Sequence, residues 1–108
     1  MKTLKDYTQE VVHIFKEYDK TGTKTWNYKI AAFDMSYQVG SLAKRIGQLD
    51  GERYADGLSE TELKKYIADE LADIFAEVLF IANDLNIDLD QGWADMTKSD
   101  QEKIKNRS

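Results

Sequence analysis

The sequence predicts an all-α fold, a bundle of four to five helices in a single domain spanning 1–108. Two observations carry this. Apolar residues recur at intervals of three and four along most of the chain, the spacing that lines one helix face, and no stretch shows the period-two alternation of a half-buried strand. The 108 residues also include no proline, so nothing interrupts a long helix. A chain of this length is one domain's worth and can bury a helical core.

The first helix is expected from about Thr3 to Asp19, with Leu4, Tyr7, Val11, Val12, Phe15 and Tyr18 at helical spacing. Thr21-Gly22-Thr23 reads as the break after it. A second helix runs from Trp26 or Asn27 to Leu49, its apolar side carrying Ile30, Phe33, Tyr37, Leu42, Ile46 and Leu49. Asp50-Gly51 opens a polar connection that ends near Leu58. Ser59-Glu60-Thr61-Glu62 is a capping box, in which the serine accepts from the amide three residues on and Glu62 reaches back. It starts a third helix that continues to about Leu85. The apolar set there, from Leu63, Ile67 and Leu71 through Phe75, Leu79 and Ala82, is wide enough to predict burial on more than one side. Asn86-Ile87-Asp88 is a short turn with Asp88 as the next N-cap. The last helical region covers Leu89 to about Asn106, and Ser99 with Glu102 predicts a kink or a new helix after Thr97. Such a chain can close as a bundle, or pair with a second copy through its long second and third helices.

Composition narrows the function. The net charge of −5 argues against nucleic acid as a partner, because neutralising phosphates requires a basic surface. A small polyphosphate remains compatible, since carboxylates reach it through divalent cations. Without cysteine there are neither disulfides nor thiolate metal sites. Met1-Lys2-Thr3-Leu4-Lys5-Asp6 lacks an apolar leader, and no segment approaches a membrane span, so a cytoplasmic location is expected.

Two polar stripes carry the candidate chemistry. Glu70, Asp73 and Glu77 share one face of the third helix, where like charges repel unless a cation such as Mg²⁺ compensates them. On the second helix Asp34, Gln38, Ser41 and Arg45 share a face, and Gly40 would let another backbone approach closely. The plainer reading of both stripes is a solvated surface. His13 reads as a surface or boundary residue. Thr21-Gly22-Thr23-Lys24 lacks the spacing of a phosphate loop, and Trp26 and Trp93 read as packing or interface residues that could also stack on a base.

The order of these pieces resembles the MazG-like, all-α nucleoside triphosphate pyrophosphohydrolases. Trp26 precedes the second helix, as a tryptophan does in that family. Glu70-Leu71-Ala72-Asp73-Ile74 through Leu85-Asn86-Ile87-Asp88-Leu89 is similar to the family's E-L-A-D-[IV]…L-x-I-D-L, and the likeness covers roughly Trp26 to Asp100. The resemblance implies a dimer or tetramer that hydrolyses a nucleoside triphosphate to the monophosphate and pyrophosphate with Mg²⁺, or with Mn²⁺ in its place. Glu70 and Asp73 would be catalytic and metal-binding, with Glu77 and Asp34 as further ligands. The first motif departs from the family: Tyr37, Gln38 and Ser41 stand where it has the glutamates of EExxE. Gln38 and Ser41 offer neutral oxygens and Arg45 a cation, the set expected to touch substrate phosphate. This departure motivates an alternative, a relative without catalytic power that binds a nucleotide or a protein partner.

Overall fold

A computed structural model describes residues 1–22 and 25–107; Thr23 and Lys24, which fall in the expected break, and Ser108 lie outside the described residues. The described residues form four helices and no strand: α1 (Leu4–Thr21), α2 (Tyr28–Leu49), α3 (Glu60–Asp84) and α4 (Leu89–Arg107).

Cap chemistry sets the boundaries. Thr3 and Asp6 form a capping box at α1: the Asp6 amide donates to the Thr3 hydroxyl (3.3 Å) and the Thr3 amide to the Asp6 carboxylate (2.8 Å). Asn27 opens α2 by accepting from the amides of Lys29 and Ile30, while the Tyr28 amide donates to Asp84 at the far end of α3 (2.8 Å). Ser59 and Glu62 form the expected capping box of α3. That helix ends where Asn86 takes a left-handed conformation (φ 55°) and the Ile87 amide donates to the Ala82 carbonyl (2.8 Å). Asp88 then accepts from the Gln91 amide and starts α4, as its position in the turn suggested.

The central helix is α3, which packs against both α1 and α2. Its wide apolar stripe has this cause: it serves two neighbours. The core joins Val11 and Phe15 of α1, Ala31 of α2, and Leu79 and Phe80 of α3. Trp26 closes it, its ring centre 4.7 Å from that of Phe15, which lies equally close to Phe80. The Trp26 amide is fixed by the Asp19 carboxylate (2.8 Å), which ties the α1–α2 connection back onto α1.

Three expectations are corrected. α4 runs as one helix past Ser99, so no new helix starts there. On α2 only part of the expected apolar side faces inward: Ile30, Leu42 and Leu49 are half-buried, but Phe33 and Tyr37 are 75% and 72% exposed, while Ala31 and Gln48 are buried. The side of α2 that meets α3 is the polar stripe, which finds hydrogen-bonding and ionic partners there. For the same reason Gly40 points into open space, with nothing within 4 Å of where a Cβ would stand, and no backbone crosses it.

No residue of α4 is buried, although Leu89 at its start packs against the core. The radius of gyration is 17.2 Å, against about 13 Å for a compact domain of similar length. Among the described residues no helix is long and apolar enough to cross a membrane.

Candidate functional site

The two polar stripes meet. Rising numbers on α2 meet falling numbers on α3: Tyr28 bonds to Asp84, Asp34 faces Glu77, Ser41 bonds to Glu70, and Arg45 stacks on Tyr66. The helices are therefore antiparallel, and seven residues singled out by spacing in the sequence lie along one seam.

One end of the seam is acidic, and no cation among the described residues compensates it. Asp34 and Gln38 of α2 and Asp73 and Glu77 of α3 line a cavity of about 140 Å³, walled by Phe15, Tyr18, Trp26 and Ala76. Glu77 is only 2% exposed, and neither of its carboxylate oxygens has a hydrogen-bond partner other than a proton it could share with Asp34. Burial pushes its pKa up to about 8, helped by hydrogen bonding to Asp34 and by the negative charges of Asp34 and Asp73. Asp73 lies nearer solvent. Its pKa is also raised, first by burial and then by the charges of Asp69, Asp34 and Glu70. Among the described residues no basic side chain lines this cavity.

The other end is compensated from within. The Ser41 hydroxyl donates to Glu70 Oε1 (2.5 Å), and Arg45 Nε stands 3.9 Å from the same oxygen, an ion pair too long for a hydrogen bond. The Arg45 guanidinium lies 4.3 Å from the centre of the Tyr66 ring and donates to Gln48 Oε1 (3.1 Å). Gln48 is buried and donates in turn to the Tyr54 carbonyl and the Asp56 carboxylate (3.0 Å each). This chain of contacts fixes the connection between α2 and α3, where Gly51, Asp56 and Gly57 all adopt positive φ. The second oxygen of Glu70 is buried without a partner.

Of the expected site residues, Asp34, Gln38, Asp73 and Glu77 thus share one cavity, and Glu70, Ser41 and Arg45 form a separate cluster further along the seam. Tyr37 stands apart, exposed on the outer side of α2. Sequence reasoning missed Gln48, although it continues the Asp34–Gln38–Ser41–Arg45 stripe by one more step of three. It also missed Phe15 and Tyr18 as walls of the acidic cavity, because spacing along α1 does not say which part of α3 it meets.

The acidic end suits a hard divalent cation in kind. Its donors are carboxylate and amide oxygens, and the Glu77 oxygens are buried without a donor. Among the described residues no three acidic or imidazole side chains already converge as a ligand set. Comparison with known proteins returned no matching family model, no curated relative and no similar solved structure.

Proposed function

We propose that this chain is a MazG-like nucleoside triphosphate pyrophosphohydrolase of the cytoplasm, working with Mg²⁺ or Mn²⁺ as a homodimer or homotetramer. The observation that carries the reading is the acidic cavity between antiparallel α2 and α3 with Glu77 buried in it, since burying a carboxylate with no donor among the described residues is costly unless a ligand repays it.

Asp34, Asp73 and Glu77 would hold the cation. Bound there, it supplies charge neutralisation for the triphosphate and orientation for the attacking water. The protein's own groups do the rest. Asp73, the most accessible of the three, accepts the proton of the water whose oxygen bonds to phosphorus as the α–β anhydride breaks and pyrophosphate leaves. Gln38 can donate its amide to a phosphate oxygen at the same cavity. The aromatic wall of Phe15, Tyr18 and Trp26 limits water at the reacting centre.

At about 140 Å³ the cavity accommodates an ion and a phosphoryl group, but it is well below the several hundred Å³ of a typical site for a larger ligand. The sugar and base must lie outside it, and a second copy packed against the exposed face of α2 would complete their site. This links the proposed assembly to the proposed activity.

A second reading is favoured by one contact. Because Arg45 and Ser41 already engage Glu70, the chain could bind a nucleotide or a protein partner without turning anything over. Pyrophosphate release from a panel of nucleoside triphosphates separates the two. The hydrolase reading expects release with Mg²⁺ or Mn²⁺, none in EDTA, and none from Asp73→Asn. A folded protein that releases no pyrophosphate from any substrate would leave the binding reading in its place.

A further inference from the structure

We infer that the α2–α3 seam takes one divalent cation per chain, at Asp34, Asp73 and Glu77, and that Arg45 supplies the positive charge at the Glu70 end from within the chain. This rests on the reading of the seam as a cation-dependent site, and it specifies how many ions that site holds and where.

The argument comes from the difference between the two ends. At Glu70, a carboxylate oxygen already accepts a hydroxyl at 2.5 Å and faces a guanidinium at 3.9 Å. A divalent ion on that oxygen would have to displace the hydroxyl and sit beside a fixed positive charge, which repels it. Arg45 is not free to swing away. The Tyr66 ring holds its face at 4.3 Å, and Gln48 accepts from it at 3.1 Å while itself tied to Tyr54 and Asp56. Its side chain is about four-fifths buried, so solvent screens the charge only partly.

At the other end the described residues supply nothing of this kind. Among the described residues both Glu77 oxygens are buried without a donor, Asp34 and Asp73 face the same cavity, and no basic group lines it. Mg²⁺ and Mn²⁺ are commonly held by one or two carboxylates and several waters, so the site need not present three converged ligands before the ion arrives. Arginine suits the replacement role because it stays charged at any physiological pH and its planar head can stack while it pairs.

The test counts Mn²⁺ ions bound to the chelator-stripped full chain without nucleotide, by titration calorimetry and by the loss of the free Mn²⁺ resonance signal. One ion per chain is expected. Glu77→Gln should weaken binding by about 10–100-fold or more, as loss of a metal-site group does. Asp34→Asn gives the same reading if Glu77→Gln does not fold. Glu70→Gln should keep one ion, whereas Arg45→Gln should gain a second, because the Glu70 end then lacks its internal charge. Two ions on the unaltered chain, none at all, loss of the single ion in Glu70→Gln, or an unchanged count in Arg45→Gln would each overturn the inference. The count is independent of turnover. One ion without pyrophosphate release would sink the hydrolase reading and leave the cation assignment standing; two ions with release would do the reverse.

Discussion

Glu77 is the most buried acid of the described residues, and its titration makes a prediction with a definite sign. The unfolded chain loses this proton near 4.5, and the metal-free folded chain holds it up to about 8. Between those values the folded state binds more protons than the unfolded one, so stability must fall as pH rises. The contribution is present in full below 4.5 and is lost as pH passes through about 8. Urea titrations of the metal-free protein across this window should show a decline of up to about 1.4 kcal/mol per pH unit, the limit for one proton. Glu77→Gln should flatten the decline, because a neutral amide occupies the same space and can donate to Asp34; an unchanged slope would mean that other groups set it. Added Mn²⁺ should also flatten it, by displacing the proton. At this scale the sequence was informative about who shares a face: 3.6-residue periodicity grouped Glu70, Asp73 and Glu77, and likewise Asp34, Gln38, Ser41 and Arg45. It said nothing about what lies opposite each face. That is why a solvated surface stayed a fair reading of a stripe in which Asp73 is exposed but Glu70 and Glu77 are buried, and why the split between the acidic end and the Arg45-neutralised end needed the second helix in place.

The helices were legible to within a few residues because their ends are written in local chemistry. A Ser or Thr three residues before an acid, an Asx at a turn, and a left-handed Asn satisfy the free amides and carbonyls of a helix end without long-range help. Ser59→Ala should therefore lower stability by about 1 kcal/mol through loss of the α3 cap, measurable by chemical denaturation. Asn86, at φ 55°, should accept glycine with no loss, while Asn86→Val should cost about 1–2 kcal/mol because a β-branched side chain crowds the left-handed region. Equal stabilities for the two Asn86 variants would contradict the assigned turn. The same chemistry misled at Ser99. A serine followed three residues later by an acid marks a helix start only where the chain has left the preceding helix, and here α4 continues through Ser99 to Arg107. The polarity of α2 misled for a related reason. The rule that the apolar side faces inward presumes that a helix has one interior to face. Packed on α3 alone among the well-contacted elements, α2 turned its polar stripe to that partner and left Phe33 and Tyr37 outside.

At the scale of the molecule, that outward face and the bare α4 leave large apolar side chains exposed on two helices. Four helices with a radius of gyration of 17.2 Å spread well beyond the compact size, and α4 buries none of its residues while presenting Trp93, Met96 and Ile104 to solvent. Phe33 and Tyr37 on α2 and Trp93 on α4 are large apolar side chains left in solvent, the kind of residue that anchors interfaces. Exposed apolar surface on this scale marks an interaction face, and a second copy is the occupant that the proposed activity calls for, because the acidic cavity alone cannot enclose a nucleotide. Light scattering should therefore give at least a dimer. Tyr37→Glu places a charge on the outer side of α2, away from the acidic cavity, and should shift the protein towards monomer without altering its helix content. Trp93→Glu asks the same of α4. If only Tyr37→Glu dissociates the assembly, the copies meet through α2 and α4 remains for another partner; if only Trp93→Glu does, α4 is the arm that joins them. A monomer before any substitution would remove the second copy from the argument. With it would go the means by which so small a cavity could present an ion and a phosphoryl group to a whole nucleotide.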